Sequence, residues 1–304
     1  MGLSKMCGIV GIYYKNKDLH KDLGAMLGAM LVQMSERGPD SAGVAVYRDG
    51  HGRSSTKLTL YAAEHGYDWD GVRLQLAAEF NTEFETEVRA SHAVVSTSAP
   101  VQQLRAWLAQ NYPQLRIMSA GSSIEIYKEA GLPRDFVERF HLEDFAGSHA
   151  LGHTRMATES AITTQHSHPF STGQDLCLVH NGSLSNHNRL REQLQGHGID
   201  FQTDNDSEVA AGYLMWQLHQ GATLEQALTN AISDLDGFYT FAVGTSNGFA
   251  VLRDPIACKP AVMAENDDWV AMASEFRAIA QLPGVENATV WEPAPATVYS
   301  WGES

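Results

Sequence analysis

The chain has 304 residues, 43% hydrophobic and 19% charged, the composition of a globular protein with room for one large core or two domains. A net charge of -15 tells against a nucleic-acid partner, because neutralising phosphates needs a basic surface. No apolar run reaches the roughly 18 residues of a membrane span, and the three cysteines, Cys7, Cys177 and Cys258, form neither a disulfide framework nor a zinc site, so a reducing, cytoplasmic setting with no membrane partner is expected.

The opening Met1-Gly2-Leu3-Ser4-Lys5 is too short and too polar for a secretory signal, and Met6 stands where a myristoylation motif needs Ser or Thr. Met6 to Tyr14 reads as the first strand, rich in Ile, Val and Tyr, with Gly8 and Gly11 allowing close backbone approach. It also carries a thiol that one cut would place at a new amino terminus. A terminal α-amine has a pKa of about 8, so much of it is an uncharged base at neutral pH. Such a cysteine can act as nucleophile and general base in one residue.

From Asp18 to Met34 apolar residues recur at three- and four-residue steps, predicting an amphipathic helix whose Met/Leu stripe is core. Ser35 to Gly43 breaks it with a Gly-Pro turn, in which Arg37 and Asp40 read as structural; Val44 to Tyr47 is a strand and Arg48 to Gly52 a hairpin-type loop. The block from about 55 to 148 has its own signals: strands near 58–63, 93–96, 116–118 and 124–127, and helices at 69–80, 101–112 and from Leu132. It is expected to be an inserted subdomain. Beyond it, His166 and His168 would share one face of a strand, but no third ligand stands at suitable spacing, so no metal is expected. His153 reads as a packed histidine. Asp175 to Val179 is a buried strand ending in Asn181-Gly182, a tight-turn signal. Helices are predicted over 188–195, 208–218 (capped by the Thr203–Glu208 polar cluster), 224–232 and 275–280, and strands over 237–243, 249–253, 259–263, 269–273 and 297–301. Two antiparallel sheets with helices on their outer faces fit this order.

Met6-Cys7-Gly8-Ile9-Val10-Gly11, Arg37-Gly38-Pro39-Asp40-Ser41-Ala42-Gly43, Gly152-His153-Thr154-Arg155, His180-Asn181-Gly182 and Asp206-Ser207-Glu208-Val209 occur in that order. Together they resemble the class II glutamine amidotransferase domain, an amino-terminal-nucleophile (Ntn) hydrolase found in amidophosphoribosyltransferase, glucosamine-6-phosphate synthase, asparagine synthetase and glutamate synthase. The resemblance covers residues 7–47 and 150–280. It implies an α+β fold, a four-layer αββα sandwich of two antiparallel sheets, and hydrolysis of the glutamine side-chain amide. Cys7 would be the nucleophile, with its freed amine as base. Asn181 and Gly182 would hold the oxyanion, Arg155 the substrate carboxylate and Asp206 its ammonium, with Thr158 beside them. Met156 stands where some relatives carry a tryptophan lid.

The resemblance divides the chain into a leader or propeptide at 1–6 and an amidotransferase domain at 7–304 carrying the 55–148 insertion. No phosphosugar-isomerase or phosphoribosyltransferase signature follows the Asp206 motif. The chain looks like the amidotransferase subunit of glutamate synthase or N-methylglutamate synthase complexes. It would hand ammonia to glutamate-synthase-like partners in a hetero-oligomer; any FMN or iron–sulfur group would sit in those partners, with no cofactor in this chain. The alternatives are a non-catalytic scaffold that keeps its leader, and a free-standing γ-glutamylamide hydrolase.

Overall fold

The computed structural model describes residues 6–48, 56–157 and 162–302; the expected leader, apart from Met6, and most of the hairpin-type loop at 48–52 lie outside them. The strand predicted at the amino terminus is β1 (Gly8–Tyr14). A 3-10 turn (Lys17–Asp22), α1 (Leu23–Gln33) and β2 (Ser41–Tyr47) follow. Next come β3 (Thr56–Tyr61), α2 (Trp69–Phe80), β4 (Phe84–Arg89), β5 (His92–Thr97), α3 (Val101–Asn111) and β6 (Arg116–Gly121). The middle of the chain gives β7 (Ile124–Ala130), α4 (Pro133–Arg139), β8 (His149–Arg155), β9 (Cys177–Leu184), α5 (His187–Gly196), α6 (Asp206–His219) and α7 (Leu224–Asp234). The remainder gives β10 (Gly237–Thr245), β11 (Gly248–Arg253), β12 (Val262–Glu265), β13 (Trp269–Ala273), α8 (Phe276–Ile279), β14 (Thr289–Trp291) and β15 (Val298–Gly302).

A seven-stranded sheet runs β14-β12-β13-β1-β8-β2-β7, and a four-stranded sheet runs β15-β11-β10-β9. Their strand pairs are antiparallel. The apolar pattern stacks them face to face. Ile9, Ala45, Leu151 and Val270 point inward to meet Val179, Ala242, Phe249 and Val251 of the smaller sheet. The alternate residues of the large sheet, including Val10, Ile12, Val44 and Val46, point outward to α1, α4 and α8. Phe241, Val243 and Leu252 on the far face of the smaller sheet meet α5, α6 and α7. The result is the four-layer αββα sandwich expected from the motifs. Both faces of β1 are buried, so its sequence is almost continuously apolar rather than alternating.

A third sheet, β4-β5-β3-β6, has its own core, with Leu76 of α2 and Leu104 and Leu108 of α3 against Leu58, Leu60 and Val95. It ends at Gly121. β7, also inside the block expected to run to about 148, pairs with β2 along its whole length in the large sheet. The chain thus re-enters the sandwich at the β6–β7 turn because Ile124 and Ile126 are needed in the inter-sheet core.

Candidate active site

Cys7 sits immediately before β1. Gly8 is paired with Thr154 of β8, so the register sets Cys7 beside Arg155 at the end of that strand. The turn after α1 lies against the same strand end: a Cβ on Gly38 would stand 2.4 Å from the Thr154 carbonyl carbon, which only glycine avoids. This close approach delivers Arg37, whose Nε donates to the Cys7 carbonyl at 3.1 Å while Nη1 pairs with Glu275 at 2.6 Å. Asp40 accepts from the Ala157 N–H at 2.8 Å. Read from sequence as a structural turn, this segment also anchors the backbone of the candidate nucleophile.

From the smaller sheet, β9 brings Asn181, whose Nδ2 donates to the Cys7 carbonyl at 3.2 Å. The Asn-Gly pair is not the tight turn its composition signals. β9 runs through it, with Asn181 opposite Thr240 and Gly182 opposite Tyr239. Sheet pairing overrides the local preference, and Gly182 adopts φ +147°, where a Cβ would meet the Phe238 carbonyl oxygen at 1.8 Å. β9 is the edge strand of its sheet. The Leu184 N–H faces away from β10 and donates to Asp206 Oδ2 at 2.9 Å. By strand alternation the Gly182 N–H, two residues earlier, faces the same open edge.

Asp206 is the first residue of α6, and Asn205 is its N-cap, accepting from the Ser207 N–H. The positive end of the helix favours a carboxylate there. Cys7, Arg155, Asn181, Gly182 and Asp206 all line one cleft of about 600 Å³. The expected residue Thr158 lies outside the described residues. Met156 lines the cleft as well, and its carbonyl accepts from Cys7 Sγ at 3.8 Å.

Burial pushes the Cys7 thiol above its ordinary range, against the opposing effects of the Met156 backbone and the charges of Arg155, Arg37 and Lys259. The thiol is therefore protonated at neutral pH and needs a base to become a nucleophile. Desolvation also lowers Arg155, while Cys7 and Asp40 draw it the other way. The cleft is bipolar: Arg155 and Lys259 supply positive charge, Asp206 and Asp204 negative.

Lys259 did not stand out in the sequence, because a single lysine before a proline carries no spacing signal, and Arg37, inside its motif, read there only as part of a structural turn. The segment around His166 and His168 is irregular rather than a strand. His166 contacts Thr163 and Asp204 at the surface, whereas His168 is buried against His153. Among the described residues, no three His, Cys, Asp or Glu side chains are grouped to hold a metal ion. No helix among them is long and apolar enough to cross a membrane.

Residues 153–281 match the family model described as a glutamine amidotransferase domain. The chain is 54% identical over 297 residues to the glutamine amidotransferase-like protein GlxB of Rhizobium meliloti (strain 1021), covering 97% of this chain and 98% of that one. It is 29% identical over 167 residues to the amidophosphoribosyltransferase of Methanocaldococcus jannaschii, covering 54% of this chain and 36% of that protein. Among solved structures, the glutamine phosphoribosylpyrophosphate amidotransferase of B. subtilis complexed with ADP and GMP aligns with TM-score 0.60 and 21% identity, over 97% of this chain and 49% of that one. The chain thus spans about half the length of that structure, and the likeness is one of fold.

Proposed function

The chain belongs to the class II glutamine amidotransferases, and from that premise we propose that it hydrolyses glutamine with Cys7 as nucleophile and passes the ammonia to a separate synthase-like subunit. The supporting observation is convergence. Residues from β1, β8, β9 and α6, far apart in the chain, meet around one cleft with the polarity of an amino acid.

In this reading, breaking the Met6–Cys7 peptide bond frees the Cys7 amine. That amine takes the thiol proton as Sγ attacks the side-chain amide carbon. The oxyanion is received by Asn181 Nδ2 and the Gly182 N–H, groups already fixed by β9 and so stabilising without reorganisation. The amine returns the proton to the departing nitrogen, releasing ammonia and leaving a thioester. A water molecule then cleaves the thioester to glutamate and regenerates the thiol. Arg155 binds the substrate carboxylate and Asp206 its ammonium, which selects free glutamine over a glutamine within a peptide. Arg37 holds the Cys7 carbonyl and so the direction of Sγ.

The partner assignment rests on the likeness of the motifs to the amidotransferase subunits of glutamate synthase complexes. A cytoplasmic, reducing setting suits three free cysteines. Glutamate release from glutamine by a chain beginning at Cys7 tests the catalytic assignment. Cys7→Ala is expected to reduce it to background, and an unchanged rate would remove Cys7 from the reaction.

A further inference from the structure

Behind the acidic end of the cleft, side chains that the reaction above does not use form one buried polar cluster. Ser207, the second residue of α6, is 1% exposed. Its Oγ lies 2.8 Å from His168 Nε2, 2.9 Å from His180 Nδ1 and 3.3 Å from Asp206 Oδ1. The His168 ring stacks on His153 of β8, centroids 4.0 Å apart, and His153 Nε2 lies 3.0 Å from the His180 carbonyl oxygen. The remaining ring nitrogens, Nδ1 of His153, Nδ1 of His168 and Nε2 of His180, are buried without partners.

Hydrogen-bond counting fixes the protons. A serine hydroxyl has one proton to give and lone pairs to receive. The Asp206 carboxylate can only accept, and as a charged acceptor it outcompetes a neutral ring nitrogen for that proton. Both histidines must then donate to Ser207, His168 from Nε2 and His180 from Nδ1. The nitrogens left bare are the same ones that make no well-formed hydrogen bond. For His168 the opposite tautomer would bury an unpaired N–H group, the costlier choice, while for His180 the carboxylate's claim on the serine proton outweighs the interaction of its ring with the Phe238 carbonyl. His153, facing a carbonyl, must likewise carry its proton on Nε2. Burial lowers the pKa of all three rings, so the cluster stays neutral beside Asp206.

We propose that Ser207 is a positioning residue: it turns the fixed tautomers of His168 and His180 into one hydrogen bond that holds the Asp206 carboxylate toward the substrate ammonium. The proposal rests on the reading that Asp206 receives that ammonium. With Oδ2 taken by the Leu184 N–H and Oδ1 by Ser207, the carboxylate plane is set from both sides. Its remaining lone pairs face the cleft. The same hydroxyl ties together the 162–170 segment, β9 and α6, so the ammonium site and the oxyanion strand share one support.

Two measurements on the chain beginning at Cys7 test this. Long-range 1H–15N correlation spectra at pH 7 are expected to show His180 as the Nδ1–H tautomer and His168 as the Nε2–H tautomer. An Nε2–H His180 would overturn the proposal whatever any variant does. Kinetically, Ser207→Ala is expected to raise the KM for glutamine about tenfold with kcat within about twofold, and Ser207→Thr to restore KM. Asp206→Asn, measured in parallel, separates the two layers. If it raises KM and Ser207→Ala does not, the positioning role alone fails. If Asp206→Asn leaves KM unmoved, the ammonium reading fails and the proposal with it.

Discussion

At the scale of single residues, the site is a set of groups that are ordinary apart and specific together. The protonated Cys7 thiol, pushed up by burial, has a donor pair next to it in Asn181 and Gly182. Gly182 is the most exacting position, because both its φ of +147° and the adjacent Phe238 carbonyl exclude a side chain. Gly182→Ala must shift this backbone and so displace its N–H, and is expected to lower kcat by roughly 10²- to 10³-fold, the usual effect of losing an oxyanion donor. A kcat within twofold of the parent would show that the position takes a side chain without displacing its N–H, against the steric demand of the Phe238 carbonyl. Arg37→Lys keeps the charge but loses the planar fork that reaches both the Cys7 carbonyl and Glu275. A fall in kcat of about tenfold is expected, in the range of one lost charge-assisted hydrogen bond; an unchanged kcat would confine Arg37 to folding. Cys7, Arg155 and Asp206 were legible in the sequence because motifs surround them. Lys259 was not, and Arg37 and Ser207, though inside motifs, carried no assigned role there, because the relation of all three to the site exists only once the α1 turn, the loop after β11 and the 162–170 segment fold back onto it.

At the scale of elements, periodicity revealed the buried strands and the amphipathic helices, since burial writes apolar residues into them. It missed β4, whose Glu85, Glu87 and Arg89 alternate with Phe84, Thr86 and Val88 at the edge of the third sheet, where charges guard an unpaired backbone. It also read Asn181-Gly182 as a turn, because local preference carries no information about β10 across the sheet. A further contact invisible in sequence joins the β6–β7 turn to the chain entering β9. The Asp175 carboxylate, two residues before β9, accepts from the N–H groups of Ser122, Ser123 and Ile124 and from both serine hydroxyls. Asp175→Ala leaves three backbone donors without this acceptor. A loss of about 2–3 kcal/mol in urea unfolding is expected, and a change below about 0.5 kcal/mol would show that water replaces the carboxylate.

At the scale of the whole molecule, buried neutral histidines set the response to acid. Burial holds His92 at about 3, His149 at about 4 and His153 at about 3. Unfolded, each ring would titrate at about 6.5. Between that value and about 4 the unfolded chain binds more protons, so stability is complete above about pH 6.5 and falls as pH drops. At pH 5.5 these three rings together lower stability by roughly 4 kcal/mol. Urea midpoints are expected to be level from pH 8 to 7 and to fall steeply below 6.5; a level midpoint down to pH 5 would contradict the buried neutral state. The sandwich itself was legible from the order of strands and helices, whereas the division of the 55–148 block at the β6–β7 turn was not, because pairing of β7 with β2 is set across the sheet. In the proposed reaction the main-chain nitrogen of Cys7 is the base that activates its own thiol. The most direct measurement compares glutamate release from glutamine by a chain whose first residue is Cys7 with that of the same chain still carrying Met6. Turnover is expected only in the first, with a loss of at least about 10²-fold in the second; equal rates would contradict it.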